Sequence, residues 1–392
     1  MIKALWLTSW YPNRLDMQNG DFIQRHAKAA SLYARVDVIH LEPDKENKLS
    51  SETEKSAVQH GKLSETIVLY KLSAIPFAGK AISWLRYIQL FQKEILLYIK
   101  KNGLPDIVHV HVPMKAGILA LWMKKKYGIK FMVTEHWNIY KSQAKDEFSN
   151  RNFFFRYFTK KIFRNAALVL PVSNDLGRRI AEVTGITHYE AVPNCVDTDL
   201  FFYKNEIKDD AFTFIHPSTL NFPKNPEAIL HAFILFNKKY PLSRLIMLGN
   251  VPAELNAFIK TENISSHPKI IFTGLVPYNK VAEMMQQSHA LLMFSRYENM
   301  PCVVLEALCC GLPVVSSAVG GIPEVVNDSN GILAAAYTVE CLADAMEKMY
   351  SNYEKYSMQQ IAEKAAAAFS YQAVGRTLNA ESLTVNAKSL ER

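Results

Sequence analysis

Two carboxylates stand beside a predicted phosphate site in residues 289–326. Glu298 lies in a polar loop and Glu306 lies in the helix that follows, with seven residues between them. The first turn of a helix presents unpaired backbone N–H groups and the positive end of the helix dipole, and both stabilise a phosphate. Because carboxylates accept hydrogen bonds from hydroxyl groups, the pair suits polyols on either side of a diphosphate. The pattern indicates a nucleotide-sugar site, although a helix with one capping and one surface glutamate has the same spacing.

The elements around the two glutamates form a predicted strand–helix–strand unit. Residues 290–294 are an apolar run typical of a buried strand, Pro301 opens a helix, and residues 313–315 form a second apolar strand. Proline in the first turn and Gly311 just after the last turn are the expected start and stop signals. The loop that holds Glu298 therefore follows the carboxyl end of a strand, which is where open α/β sheets bind ligands.

Three motifs in this stretch resemble the signature of glycosyltransferase family 4. They are Glu298-x7-Glu306, Gly-Leu-Pro-Val-Val at residues 311–315, and Gly-Gly-Ile-Pro-Glu-Val-Val at residues 320–326. The resemblance implies a retaining transferase of the GT-B fold that uses a nucleotide-sugar donor. It also implies that Glu298 holds hydroxyl groups of the donor sugar and that Glu306 holds the ribose hydroxyls.

A second segment, residues 217–225, resembles the family's diphosphate-binding Gly-Arg-Leu-x-x-x-Lys motif. Lys224 occupies the lysine position, whereas Thr219 stands where the family has arginine, which makes Arg296 a candidate replacement cation. Fixed positive groups stabilise the charge that builds on a departing diphosphate, so neither a metal ion nor another cofactor is expected. The predicted donor-binding positions also include four at the start of the helix: Asn299, Met300, Pro301 and Val303.

Two histidines and one glycine in the first half resemble cleft-lining positions of the family. His111 and His136 each follow a predicted strand, and Gly20 follows the segment Trp-Tyr-Pro at residues 10–12. The resemblance implies that both histidines contact the donor sugar and that the backbone at Gly20 approaches the phosphate. A histidine at a strand end and a glycine in a turn also have purely structural explanations. We predict His111, His136, Lys224 and Glu298 as the catalytic set. The resemblance implies front-side attack, in which the leaving phosphate takes the acceptor's proton.

Strands and helices alternate along both halves of the chain, which predicts mostly parallel sheets covered by helices. The predicted fold is α/β, with two doubly wound Rossmann-like domains facing each other across a cleft. Residues 1–195 would form the acceptor-side domain and residues 196–370 the nucleotide-sugar-binding domain. The resemblance adds a helix in residues 371–392 that crosses back to the first domain, and a hinge at residues 192–199. Residues 44–60 are polar without periodicity and are predicted to form a mobile surface loop.

Composition restricts the compartment and the partners. The five cysteines are odd in number and lack metal-ligand spacing, which predicts a protein of the reducing cytoplasm with no metal site. Residues 1–200 carry a net charge of +10 and residues 201–392 a net charge of −2. The basic, aromatic-rich stretches 83–101 and 151–164 are typical of helices at an anionic membrane surface, although many amphipathic helices share this composition. We therefore predict peripheral membrane contact and a saccharide or lipid-linked acceptor of surface polysaccharide or lipopolysaccharide assembly.

Three other functions compete with sugar transfer to a hydroxyl acceptor. A GT-B nucleotide-sugar epimerase or a phosphorylase would use the same donor chemistry. A non-catalytic nucleotide-sugar-binding subunit is suggested by Thr219, because it carries no charge. Nucleic-acid binding would suit the basic first half, but the basic residues are scattered and no recognition motif accompanies them, so no nucleic-acid partner is predicted.

Overall fold

The computed structural model describes residues 1–73, 79–142, 146–205 and 209–390. The chain divides into two compact units. Unit 1 contains the described residues of Met1–Tyr140, Lys145–Pro193 and Tyr371–Arg392. Unit 2 contains those of Lys141–Ala144 and Asn194–Ser370. Each unit is built around its own sheet, so each can be described by itself.

Unit 1 contains a seven-stranded sheet with the order β3-β4-β2-β1-β5-β6-β7. All neighbouring strands are parallel except β3 and β4, which form an antiparallel hairpin. The chain starts at β1, builds outward on one side, and then continues from β5 on the other side. The strands are β1 (Lys3–Thr8), β2 (Arg35–Asp44), β3 (Thr53–His60), β4 (Leu63–Lys71), β5 (Ile107–His111), β6 (Phe131–Glu135) and β7 (Leu168–Pro171).

Six helices complete unit 1, and the last comes from the end of the chain. Gly375 permits that packing, because a Cβ there would lie 2.1 Å from the carbonyl oxygen of Ala29. Tyr33 also donates a hydrogen bond to the carbonyl of Gln372 at 3.1 Å. The helices are α1 (Asp21–Ser31), α2 (Gly79–Asn102), α3 (Ala116–Tyr127), α4 (Phe153–Asn165), α5 (Asn174–Thr184) and α13 (Tyr371–Leu390).

The prediction of a surface loop at residues 44–60 was wrong for Asp44 and for Thr53–His60, whereas residues 45–52 join β2 to β3 without regular secondary structure. Asp44 is the last residue of β2, and Thr53–His60 forms the edge strand β3. Seven of the eight residues of β3 are exposed and the other is half-buried, so the strand lacks the apolar alternation that identifies strands in a sequence. Its structure comes from pairing with β4 along its whole length.

Unit 2 contains a six-stranded parallel sheet with the order β10-β9-β8-β11-β12-β13. The short apolar runs of its central strands are buried on both faces, as parallel sheets require. The predicted doubly wound α/β fold is therefore confirmed in both units. The strands are β8 (Thr213–Pro217), β9 (Arg244–Leu248), β10 (Ile270–Gly274), β11 (Ala290–Leu292), β12 (Val314–Ser316) and β13 (Gly331–Leu333).

Seven helices pack around the second sheet. The core between sheet and helices contains Phe214 and Phe294 from the strand side and Phe233 and Met346 from the helices. The helices are α6 (Pro226–Lys239), α7 (Ala253–Thr261), α8 (Tyr278–Gln287), α9 (Cys302–Cys309), α10 (Ile322–Val325), α11 (Val339–Asn352) and α12 (Met358–Phe369). Among the described residues of the whole chain, no helix combines the length and the apolar character needed to cross a bilayer.

Candidate functional site

Three loops of unit 2 leave the carboxyl ends of the neighbouring strands β8, β11 and β12. The chain winds outward from β8 to β9 and β10 and then returns to start the other side at β11, so β8 and β11 flank a topological switch point. Hydrogen bonds join the loops: the N–H of Arg296 donates to Pro223 at 2.8 Å, and the hydroxyl of Ser317 donates to Ser295 at 2.9 Å. The two sequence segments predicted to bind the donor therefore lie together.

Lys224 and Glu298 form an ion pair at this switch point. The Lys224 Nζ lies 2.5 Å from the Glu298 Oε1, and the hydroxyl of Ser295 donates to the same oxygen at 2.8 Å. The Glu298 side chain is almost fully buried, whereas that of Lys224 is partly exposed. Glu298, which the resemblance assigns to the donor sugar, is thus paired with the lysine assigned to the phosphates, and both roles stay predictions.

Arg296 is held against the loop that carries Lys224. Its Nε donates to the carbonyl of Phe222 at 3.1 Å, its Nη2 donates to the Oδ1 of Asn225 at 2.8 Å, and its guanidinium lies 4.3 Å from the Phe222 ring centroid. The guanidinium of Arg296 is therefore fixed against Phe222 and Asn225, on either side of Lys224 in the chain. Thr219 is exposed on the same loop.

The start of α9 carries the remaining predicted donor positions. Met300 and Pro301 are buried and Val303 is half-buried, and Pro301 precedes the first helical residue without a capping side chain. The Nδ2 of Asn194 donates to the carbonyl of Met300 at 2.7 Å and fixes the approach to the helix. Sequence reasoning quoted Asn194 only as part of the hinge. Its contact with Met300 joins residues far apart in the chain, so the sequence around Asn194 does not predict it.

The Gly320-Gly321 pair supports the loop that holds Glu298. Gly320 has a positive φ of 61°, and a Cβ at this residue would lie 1.9 Å from the carbonyl oxygen of Glu298. The N–H of Gly321 donates to the carbonyl of Asn299 at 2.6 Å. Asn299 itself is buried. The two glycines thus let their own backbone lie directly against the backbone of Glu298 and Asn299.

Glu306 is buried on α9 and already accepts a hydrogen bond from a hydroxyl group. The donor is the phenol of Tyr278, the first residue of α8. The ring of Tyr278 packs edge-on against Phe201 with the centroids 4.9 Å apart. The carboxylate of Glu306 thus accepts from the phenol of Tyr278, and a contact with ribose hydroxyls stays a prediction.

A buried histidine orients the loop after β8. His216 lies with its Nδ1 2.7 Å from the carbonyl of Leu292, which requires the proton on Nδ1, and its Nε2 then accepts from the Ser218 hydroxyl at 2.8 Å. The Ser218 oxygen accepts from the N–H of Leu220 at 3.0 Å. Leu220 has a positive φ of 52°, so this chain of hydrogen bonds stabilises a strained backbone beside Thr219.

We expect His216 to make unit 2 sensitive to acid. Burial lowers its pKa to about 4, with the Lys224 charge lowering it further and the Leu292 hydrogen bond opposing the shift. Because the folded pKa lies below the unfolded value of about 6.5, its contribution is complete above pH 6.5 and is lost as the pH falls to 4. The loss is about 3 kcal/mol of unfolding free energy. Calorimetry at pH 7.5 and pH 5 should show a smaller fall in melting temperature for His216→Gln than for wild type.

A matched control for this prediction is His188→Gln, because His188 is exposed. All five tryptophans lie in unit 1. Tryptophan fluorescence therefore follows unit 1, whose own buried histidines are the same in both proteins. The difference in acid response between wild type and His216→Gln should appear in the calorimetric transition of unit 2 and not in the fluorescence transition. An equal loss of melting temperature in wild type and His216→Gln would contradict the assignment.

Gly20 precedes α1 in unit 1 with a positive φ of 71°. A Cβ there would lie 2.9 Å from both the carbonyl carbon and the Cβ of Trp10. The glycine is therefore explained by close packing on the Trp-Tyr-Pro segment. A contact to a phosphate stays a prediction.

The predicted histidines of unit 1 lie together with a third histidine. The His111 Nδ1 is 3.3 Å from the His136 Nε2, and the ring of His26 on α1 lies 5.4 Å from that of His136 between centroids. Burial lowers the pKa of His26 to about 4 and lowers that of His111 far below its usual value, so both of these rings are neutral. Sequence reasoning missed His26, because it lies on a helix far from the strand-end motifs.

Glu135 positions His136. Its Oε1 accepts from the N–H groups of His136 and Trp137 at 2.8 and 2.9 Å, and its Oε2 accepts from the phenol of Tyr140 at 2.7 Å. Burial raises the pKa of Glu135 to about 7 against the opposing effect of these hydrogen bonds. The sequence predicted no metal site, whereas within the described residues one group of three side chains has the spacing of metal ligands: His26, His111 and His136.

Family comparisons cover most of the chain. The model of the family described as Glycosyl transferases group 1 matches residues 197–367, and the model of Glycosyltransferase Family 4 matches residues 28–200. TuaC of Bacillus subtilis, named as a teichuronic acid biosynthesis glycosyltransferase, is 23% identical over 369 residues. These cover 88% of this chain and 89% of TuaC.

Solved structures show the same fold. Sucrose-phosphate synthase from Thermosynechococcus elongatus superposes with a TM-score of 0.77 at 17% identity, covering 98% of this chain and 100% of that chain. HepE from Anabaena, solved in complex with UDP, superposes with a TM-score of 0.70 at 15% identity, covering 98% of this chain and 100% of that chain. At these low sequence identities, the structural similarity establishes the fold alone.

Proposed function

Because the chain belongs to the group 1 and family 4 glycosyltransferases and has the GT-B fold, we propose that it is a retaining hexosyltransferase with a UDP- or GDP-sugar donor. The observation that carries the proposal is the ion pair of Lys224 and Glu298 at the β8/β11 switch point, beside the start of α9. A cation, a helix N-terminus and a buried carboxylate together match a diphosphate that links two polyols.

The nucleoside half of the donor is assigned to Glu306. Its carboxylate already accepts from the phenol of Tyr278, which supports a role in binding hydroxyl groups. In the proposed complex the ribose hydroxyls replace that phenol. HepE, a structural neighbour, binds UDP, and its UDP-glucose complex has also been solved.

The diphosphate is assigned to Lys224, Arg296 and the backbone N–H groups at the start of α9. Charge builds on the β-phosphate as the glycosidic bond breaks, so fixed cations stabilise the transition state more than the ground state. Arg296 is anchored to the loop that carries Lys224, which supports it as the cation that replaces the arginine absent at Thr219. With two cations in place, we propose that transfer needs no divalent metal.

The sugar half of the donor is assigned to Glu298 in unit 2. The resemblance assigns further contacts with the donor to His111, His136 and Gly20 of unit 1. Retention follows if the acceptor hydroxyl attacks the face that the phosphate leaves, with the phosphate oxygen taking the proton. No carboxylate nucleophile is needed in this scheme.

Donor turnover tests the proposal. Purified protein is incubated in EDTA with UDP-glucose, UDP-N-acetylglucosamine, GDP-mannose or ADP-glucose, with and without saccharide acceptors, and the released nucleoside diphosphate is measured. Release from a UDP- or GDP-sugar, and an α-linked product from an α-linked donor, is the expected result. Release from none of them, together with tight binding of a nucleoside diphosphate, would favour the non-catalytic binding subunit suggested by Thr219. A 2-epimerised sugar would favour the epimerase.

The acceptor side is proposed to be membrane-associated. The first turns of α4 expose Phe153 and Phe154 by 67% and 70%, and Tyr157 lies next to them on the same helix. Lys161 lies 5.6 Å from the ring centroid of Tyr157, and Arg156 is exposed between the aromatic residues. Aromatic side chains flanked by cations suit the interface of an anionic bilayer. We infer a lipid-linked or surface saccharide acceptor and a peripheral position on the cytoplasmic face of the membrane.

We expect Phe153→Ser with Phe154→Ser to reduce binding to anionic vesicles by at least about tenfold. Each buried phenyl ring contributes about 1–3 kcal/mol of transfer free energy. Flotation with vesicles of phosphatidylcholine and phosphatidylglycerol at low salt measures the bound fraction. Leu242→Ser is the matched control, because Leu242 is equally exposed but lies in unit 2. A wild-type protein that stays wholly in solution would contradict membrane contact.

A further inference from the structure

Three buried histidines of unit 1 converge from three separate elements. His26 comes from α1, His111 ends β5, and His136 follows β6. One ring nitrogen of each lies within 4.8 Å of the corresponding nitrogens of the other two. Since β1 and β5 flank the switch point of the first sheet, the cluster occupies the edge at which open α/β sheets bind ligands.

The spacing of the rings is close to that of a tetrahedral metal site. Zn–N bonds of about 2.0–2.1 Å place two ligating nitrogens about 3.3 Å apart and the ring centroids about 5 Å apart. The His111 Nδ1 and His136 Nε2 are 3.3 Å apart. The three pairs of ring centroids are 5.4, 5.7 and 6.1 Å apart, so a movement of His26 by about an ångström closes the site.

The hydrogen bonds of the cluster leave nitrogen lone pairs for a ligand. The Nε2 of His26 lies 3.0 Å from the carbonyl of Pro193 and must donate to it, so Nδ1 carries the lone pair. That Nδ1 is a buried atom without a hydrogen-bond partner among the described residues. A ligating histidine commonly donates its second N–H to a backbone carbonyl, which fixes the tautomer as seen for His26.

The surroundings suit a cation that prefers nitrogen ligands. Trp6 stacks on His111 with the centroids 4.2 Å apart, and Phe22 packs on His136 at 4.6 Å. His136 is 9% exposed, whereas the other two are fully buried, so a cation would enter past His136.

We propose that His26, His111 and His136 form a three-imidazole site for a divalent cation of the Zn²⁺ type. Neutral imidazoles suit Zn²⁺, Co²⁺, Ni²⁺ and Cu²⁺, whereas Mg²⁺ prefers oxygen ligands. Three imidazoles leave a tetrahedral cation one further coordination position. This site is built from residues other than the diphosphate residues of unit 2, and its existence does not depend on the proposed transfer reaction. One consequence does rest on that reaction: bound metal removes His111 and His136 from the donor sugar and inhibits transfer.

Cobalt titration of the full chain tests the site without any sugar donor. Four-coordinate Co²⁺ absorbs strongly in the visible region, whereas hydrated or six-coordinate Co²⁺ absorbs weakly. We expect a strong visible band that saturates at one Co²⁺ per chain, disappears on addition of one equivalent of Zn²⁺, and is unaffected by excess Mg²⁺. Wild-type protein with no such band, or with only weak binding at many sites, overturns the proposal.

Substitution of His26 assigns the ligands. His26→Gln keeps a donor for the carbonyl of Pro193 but removes a ligand, so we expect a loss of Co²⁺ affinity of about 100-fold or more. His188→Gln is the control, because His188 is exposed and distant in sequence from all three ligands. His136→Gln serves as the second variant if His26→Gln does not fold. Retention of the full visible band in a folded ligand variant would also overturn the proposal. The cobalt assay contains no sugar donor. A negative result would therefore overturn the metal site without contradicting the proposed transferase activity, which the donor-turnover assay tests.

Discussion

Replacement of Lys224 by methionine is expected to lower sugar transfer by about 10²–10³-fold. Its ammonium is the charge nearest Glu298 and is assigned to the departing diphosphate. Removal of one fixed donor from a developing anion costs about 3–4 kcal/mol of transition-state stabilisation. The loss should appear mainly in kcat, measured as nucleoside diphosphate release under saturating donor.

A second variant is needed to separate the effect of Lys224→Met on folding stability from its effect on turnover. Lys224→Met leaves the carboxylate of Glu298 buried without its cation, which destabilises unit 2 by about 1–3 kcal/mol. Lys224→Met combined with Glu298→Gln removes the unpaired charge, so the melting temperature should recover while turnover stays low. Lys239→Met is the matched control, because Lys239 pairs with Glu347 on the exposed surface of the same unit. Recovery of turnover in the double variant would contradict both the role of Lys224 on the diphosphate and the role of Glu298 on the donor sugar.

Substitution of Gly320 by alanine is expected to displace the Glu298 loop and abolish nucleotide binding. The new Cβ would lie 1.9 Å from the carbonyl oxygen of Glu298, and the φ of 61° disfavours any side chain. The overlap and the backbone strain together cost about 2–4 kcal/mol. Calorimetry should show a lower melting temperature, and addition of the nucleoside diphosphate should no longer raise it.

Gly274→Ala controls for the backbone conformation alone. Gly274 has a φ of 70° in the same unit, but no described atom outside its chain neighbours lies within 4 Å of the position that an alanine Cβ would take. The expected cost is therefore only the left-handed strain of about 1–2 kcal/mol, with nucleotide binding retained. Equal loss of nucleotide binding in both variants would show that strain, and not the contact with Glu298, is responsible.

The fold could be predicted from the sequence wherever an element is buried and its residues therefore form an apolar pattern. The parallel strands of both sheets are short apolar runs, and helices such as α4 and α5 have clear boundaries, so the class and most elements followed. The edge strand β3 and the helices α11 and α12 near the end of the chain were not predicted. In β3 the side chains are mostly exposed, so its pairing with β4 leaves no apolar signal in the sequence.

The residues of the candidate site were chosen from sequence motifs, and the contacts between them could not be predicted in this way. Motifs identified Lys224 and Glu298, which are 74 positions apart, yet only the parallel order of β8 and β11 brings them into an ion pair. Asn194 and His26 were missed for the same reason. Each acts through a partner far along the chain, Met300 for Asn194 and the strand-end histidines for His26.

Nucleotide-induced stabilisation tests the central claim that the β8/β11 crevice of unit 2 binds a nucleoside diphosphate. Wild type, Glu306→Ala and the exposed-residue control Glu324→Ala are melted in EDTA with UDP, GDP or ADP. At a hundredfold excess over the dissociation constant, binding adds about 2.7 kcal/mol, or roughly 5–10 °C in melting temperature. The account predicts this rise with UDP or GDP in wild type and Glu324→Ala, and a much smaller rise in Glu306→Ala. No rise with any of the three at millimolar concentration, or an equal rise in Glu306→Ala, would contradict it.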